Sequence, residues 1–138
     1  MRLAALSLLV LALAACGSHK AATPTQVARA WSTALNHNDN KAAGALFAKN
    51  AQVIQDNVEE LVTPDDATRW NAALPCGGTI LGVSVQRTDE VLVVFQLKER
   101  PGHACDGPGQ EAAAVFRVKN GKIVLWHQVP PPPPGATV

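Results

Sequence analysis

Val27, Ala30, Trp31, Ala34 and Leu35 recur at the i, i+3, i+4, i+7, i+8 spacing of one helical face. Thr23-Pro24 precedes them as an N-cap residue and a first-turn proline, so this helix starts there. Asn36 to Asn38 break it. Asp39 or Asn40 then caps a second, short helix carrying Ala42, Ala43, Leu46 and Phe47. Gln52-Val53-Ile54 reads as a short strand, and Leu61-Val62 as a second. Thr63-Pro64-Asp65-Asp66 repeats the cap, proline and acidic first turn, which predicts a third helix through Trp70 and Leu74, ending at Pro75 and Gly77-Gly78. From Ile80 onward the period changes to that of strands. Ile80 to Gln86 and Val91 to Leu97 flank a turn at Thr88-Asp89-Glu90, and Arg100 to Gly109 forms a loop. Ala112 to Lys119 and Lys122 to Val129 make a hairpin around Asn120-Gly121. Helices followed by a run of antiparallel strands predict an α+β domain.

The first 16 residues have a different character. Arg2 is their only charge, Leu3 to Leu13 is apolar, and Leu13-Ala14-Ala15-Cys16 closes the run. A basic start, a short apolar core and a small-residue cleavage site make a secretory signal, too short to span a bilayer. The cysteine at its end resembles the lipobox of a bacterial lipoprotein signal. That resemblance implies removal of residues 1–15, lipid (palmitate among the acyl chains) on Cys16, and an exported protein anchored to the outer side of a cell membrane. Residues 16–23 then form a lipidated tether, 24–129 the domain, and 130–138 a tail. Pro130 to Pro134 ends the last strand, because proline cannot join a sheet ladder.

Without Arg2 the chain has as many acidic as basic side chains, so its net charge is zero. That balance argues against nucleic acid as a partner and against electrostatic docking on anionic lipid. Cys76 and Cys105 remain, and in an exported chain such a pair forms a disulfide. Closing a loop of that length stabilises by roughly 3.6 kcal/mol. A metal site is not expected: His103 lies near Cys105, but no second ligand lies near Cys76, and zinc wants four. No cofactor motif is present. Gly77-Gly78 and Gly82 lack the phosphate-loop pattern, and are read as letting a strand bend.

Two stretches carry a family resemblance. Val27 to Trp31, Ala34-Leu35-Asn36, Asp39, Leu46-Phe47-Ala48 and Ala51-Gln52-Val53 resemble the opening of a nuclear transport factor 2-like (SnoaL-like) domain. Val115 to Ile123, continuing to Trp126, resembles its closing hairpin. The resemblance implies a cone-shaped α+β barrel: helices wrapped by a curved antiparallel sheet, with a pocket at the open end and homodimerisation through the sheet. The cysteine pair resembles that of a subset of small secreted lipoproteins with this fold.

Such cones hold isomerases, dehydratases and cyclases as well as binding modules. Proton transfer needs a carboxylate or histidine in the pocket. His127 is the best single candidate. In the last strand Ile123, Leu125, His127 and Val129 share one face, and Val124, Trp126 and Gln128 the other. Either set fits the pocket side. Asp39, Asp65 and Asp66 read as helix-start residues, and Asp56, Glu59 and Glu60 as a polar segment near the rim. There is no tyrosine, so a tyrosine-based oxyanion site is absent. Trp31 and Trp70 read as core or cavity walls, so the ligand set is Trp31, Trp70, Trp126, His127 and Gln128. The expectation is a noncatalytic binding or interaction module of the cell envelope, holding a small apolar ligand. The alternative is a lyase or isomerase with His127 as base, assisted by Asp56 or Glu60.

Overall fold

The computed structural model describes residues 17–136. Cys16, the signal segment and the last two residues lie outside the described part, so the lipid-anchor expectation is not addressed by it. No helix among the described residues is long and apolar enough to cross a membrane.

Helix α1 spans Pro24–Asn36, α2 Asn40–Ala45 and α3 Pro64–Ala73. Thr23 and Thr63 both form capping boxes, with Gln26 and Asp66 as the reciprocal partners. Asp39 is the N-cap of α2, and its carboxylate accepts from the Ala42 amide at 2.9 Å. That role satisfies an otherwise orphaned helix donor and removes Asp39 from the list of reactive groups.

Strands β1 (Phe47–Ile54), β2 (Val58–Leu61), β3 (Gly77–Arg87), β4 (Glu90–Lys98), β5 (Glu111–Lys119) and β6 (Lys122–Val129) form one sheet in the order β2-β1-β6-β5-β4-β3. The α+β class holds, with two refinements. The sheet is curved but not closed, with β2 and β3 as free edges. It is also mixed, because β1 runs parallel to β6. Phe47, expected in the second helix, opens β1, and Leu46 caps α2. The first half of β1, Ala48-Lys49-Asn50-Ala51, has no alternating pattern, and its pairing with β6 is irregular there. Asn50 sits at φ 61°, a left-handed conformation that asparagine tolerates.

The hydrophobic core lies between α1 and the concave face of the sheet. Trp31 is its centre, with ring centroids 5.3 Å from Phe116, 5.9 Å from Trp126 and 6.1 Å from Phe95. Its indole Nε1 donates to Asn71 Oδ1 at 2.7 Å, and Asn71 is itself fully buried on α3. One hydrogen bond therefore fixes the rotation of the central ring and ties α1 to α3.

Asn36 fastens the other end of α1. Its amide donates to Gly78 O and its carbonyl accepts from Gly78 N, so it pairs with β3 as a strand would. A Cβ on Gly77 would collide with Asn36 Oδ1, and one on Gly78 would stand 3.1 Å from Phe95. These two glycines open β3 rather than end α3. They serve close approach of α1, and the irregularity of β3 falls at Gly82, where its pairing with β4 shifts after Ile80.

Candidate functional site

β6 decides which side chains face inward. Arg117 pairs with Leu125 and Val118 with Ile123, which leaves Val124 as an extra residue. This bulge reverses the alternation, so Ile123 and Trp126, three positions apart, both turn into the core. His127 pairs with Val115, and Val115 with Leu92, all on the opposite face from Phe116 and Trp126. The grouping of Ile123 with His127 is thereby corrected, and His127 lies on the convex side of the sheet. Among the described residues it makes no hydrogen bond or ion pair.

The concave side holds a cavity of about 270 Å³ beyond the far end of α1. Trp31, Leu35, Leu74, Phe95, Leu97 and Trp126 supply its apolar walls. Ala112 and Ala114 leave the space open, since larger residues there would fill it. Gln55, Gln128 and Asp106 are its exposed polar groups, and Gln55 Nε2 donates to Gln128 Oε1 at 3.0 Å across the mouth. Of the predicted ligand set, Trp31, Trp126 and Gln128 line this cavity. Trp70 does not: it lies behind Trp126, centroids 5.0 Å apart, and packs on Phe47. His127 does not either.

Trp126 is 6% exposed, and its Nε1 is buried with no hydrogen-bond partner among the described residues. A buried unpaired donor costs about 1 to 3 kcal/mol, and such groups are uncommon in folded proteins. The residue lines the cavity, but this nitrogen is itself shielded from contact with a water-sized molecule, so it points into the packed wall and not into the open space.

Cys76 and Cys105 form a disulfide, S–S 2.07 Å, at the rim of the same cavity. It ties the start of β3 to the β4–β5 loop. Asp106 follows, with Oδ1 3.3 Å from Cys76 Sγ. This is a contact and not a hydrogen bond, because a disulfide sulfur has no proton to donate. The ligating atoms of Cys76, Cys105 and Asp106 lie within 4.8 Å of one another. With the sulfurs joined, only the carboxylate is left as a ligand, too few for a metal.

Sequence reasoning did not single out Asp106, Gln55 or Arg100. The signal for Asp106 was its place after Cys105, which the disulfide carries to the start of β3. Arg100 is 2% exposed, has no carboxylate partner among the described residues, and its Nε is unpaired like Trp126 Nε1. It donates to the backbone carbonyls of Asn71 and Leu74 and to the side chains of Asn38 and Asn40. Burial pushes its guanidinium pKa down from the ordinary value. It is a clamp beneath the cavity that ties α3 to the α1–α2 connection. His103 joins it through Asn38 Oδ1 at 3.1 Å.

A second depression of about 550 Å³ lies at the other end of the sheet, between Gly44, Phe47, Lys49, Val62, Pro64 and Lys122. None of its wall residues carries an unpaired buried polar atom.

No curated protein matches the chain in sequence. Solved structures share its fold at low identity. An NTF2-like protein of unknown function from Cytophaga hutchinsonii is 12% identical, with TM-score 0.64 over 80% of this chain and 92% of that one. A candidate polyketide cyclase from Sinorhizobium meliloti is 22% identical, with TM-score 0.61 over 75% and 93%. A protein with a ketosteroid isomerase-like fold from Catenulispora acidiphila, solved with trimethylamine, is 18% identical, with TM-score 0.58 over 78% and 86%. The profile of the SnoaL-like domain matches residues 28–126, from the first turns of α1 to Trp126 in β6. The chain belongs to the SnoaL-like domain family.

Proposed function

We propose that this protein is a binding module of the cell envelope, anchored by lipid on Cys16, that holds a small, mostly apolar molecule in the cavity beside Trp126. The observation that carries this reading is the cavity of about 270 Å³ itself, walled by Trp31, Leu35, Leu74, Phe95, Leu97 and Trp126. Gln55 and Gln128 at its mouth supply polar groups around which a ligand is oriented. The lining supports binding over proton transfer. Asp106 is its one titratable side chain, and that carboxylate is exposed at the mouth. The lyase or isomerase alternative required His127 in the pocket with a carboxylate within reach, and β6 turns His127 the other way.

The tether supports the anchored arrangement. Ala22 N lies 3.5 Å from where a Gly121 Cβ would stand, so residues 21–22 run beside the β5–β6 turn. The cavity lies at the opposite ends of those two strands, near Ala112 and Gln128. Lipid on Cys16 therefore leaves the mouth turned away from the membrane, open to the aqueous side.

Native mass spectrometry tests the binding reading. The protein is exposed to benzene- to indole-sized probes and compared with Ala112→Phe, which fills the mouth. The expected result is one probe per chain, lost in the variant. Equal uptake by the variant, or none by either, overturns the reading. Lipidation is tested separately, by the intact mass of the protein from its native host and its loss in Cys16→Ser.

A further inference from the structure

We infer that the cavity selects a compact organic cation, an amine with an apolar body, over a neutral or anionic molecule of the same shape. This rests on the cavity being a binding site and deepens that reading by fixing the sign of the ligand's charge.

Asp106 is the charged residue of the lining, and it makes no ion pair among the described residues. No lysine, arginine or histidine lines the cavity. Asp56, exposed, follows the lining residue Gln55, whereas Glu111 lies on the opposite face of β5 from Ala112. Lys98, next to Leu97, is the exposed cation flanking the lining. The charge presented at the mouth is that of Asp106, because the Arg100 cation beneath the cavity is buried and donates to Asn71 O, Leu74 O, Asn38 and Asn40.

The walls suit the same ligand class. Trp31, Phe95 and Trp126 present aromatic rings, whose faces attract cations most strongly where water is excluded. An amine whose body lies among these rings places its charge toward Asp106. An anion meets the Asp106 carboxylate, with the Gln55 and Gln128 amides as the donors at the mouth.

The test uses three probes of matched shape on the disulfide-bonded protein: 2-phenylethylammonium, 2-phenylethanol and 3-phenylpropionate. Affinities are read by calorimetry at low and high salt, with and without Asp106→Asn. The cation is expected to bind about tenfold tighter than the anion, with the alcohol between them. Salt is expected to narrow that gap. Asp106→Asn is expected to weaken the cation about threefold and to leave the alcohol unchanged. If the alcohol binds and the anion matches or exceeds the cation, the inference fails while the binding reading stands. If the cation's advantage survives intact in Asp106→Asn, the assignment to this carboxylate is wrong. If none of the three binds at millimolar concentration, the binding reading itself fails, and the inference with it.

Discussion

The two ends of the sheet contrast in charge and in packing. At the tether end, where Ala22 runs beside Gly121, the exposed groups include Lys20, Lys49, Arg87, Lys119 and Lys122. Of the acids there, Glu90 pairs with Arg117 and Asp66 with Arg69, while Asp65 and Asp89 make no ion pair among the described residues. At the cavity end Asp56, Glu99, Asp106 and Glu111 are exposed, opposed by Lys98 and Lys41. A chain with no net charge is thus electrically polar along its strands. Totals conceal this, because strand register and not composition decides which charges share an end. One end is tied by hydrogen bonds of turns and caps. The other needs a disulfide and a buried arginine to stay in shape around an opening.

Four substitutions or conditions sharpen that contrast. Trp31→Ala is expected to have the largest effect, because Trp31 joins the core to the cavity wall and leaves Asn71 Oδ1 without its donor. Loss of about 4 to 5 kcal/mol in urea unfolding is expected. A loss below about 2 kcal/mol would mean that the cavity end contributes little to the core.

Cys76→Ser combined with Cys105→Ser is expected to cost about 3.6 kcal/mol by the loop-closure argument. Amide exchange should rise around Arg100 to Gln110 and at Gly77-Gly78, and stay unchanged at Asn120-Gly121. Uniform loosening of both ends would break the contrast. Gly44→Ala probes the helix layer toward the tether end. A Cβ there would stand 2.9 Å from the Thr68 backbone nitrogen, which is closer than real Cβ contacts. The expected cost is about 2 kcal/mol by thermal melting, with ligand affinity unchanged.

Acid gives the smallest effect. The Thr63 hydroxyl and then the Thr63 amide, aided by Arg69, hold the Asp66 carboxyl below the ordinary 3.8. A lowered folded-state pKa means that this contribution is complete above that ordinary value and is lost as the pH falls through the folded-state one. Asp66→Asn should flatten the stability profile in that acid window alone, as read from melting temperatures between pH 2 and about 6.

Much of the fold was legible because local chemistry and global structure agree. Thr23-Pro24, Thr63-Pro64 and Asn120-Gly121 act within a few residues, and each sits where its pattern says. The early part of β1 was not legible, because its shape comes from a parallel pairing with β6 more than 70 positions away. The same limit applied to the site. Ile123 and His127 look alike under strict alternation, and only the extra residue at Val124, set by pairing with β5, separates them. Asp106 looked like a loop residue until the disulfide placed it. The aromatic walls were readable as large apolar residues on predicted faces, but Trp31 and Trp70 were equivalent until α3 put one of them behind Trp126.

The central claim is that the cavity walled by Trp31 and Trp126 is the binding site, and indole NMR tests it most directly. The protein has three tryptophans, so three indole N–H signals are resolved and assigned by Trp→Phe variants. On titration with 2-phenylethanol, the Trp126 signal is predicted to shift and saturate. The Trp31 signal, held by Asn71, should move less, and Trp70 least. A Trp126 signal that stays in place while signals around Lys49 and Lys122 saturate would contradict the account and put the site at the other end of the sheet.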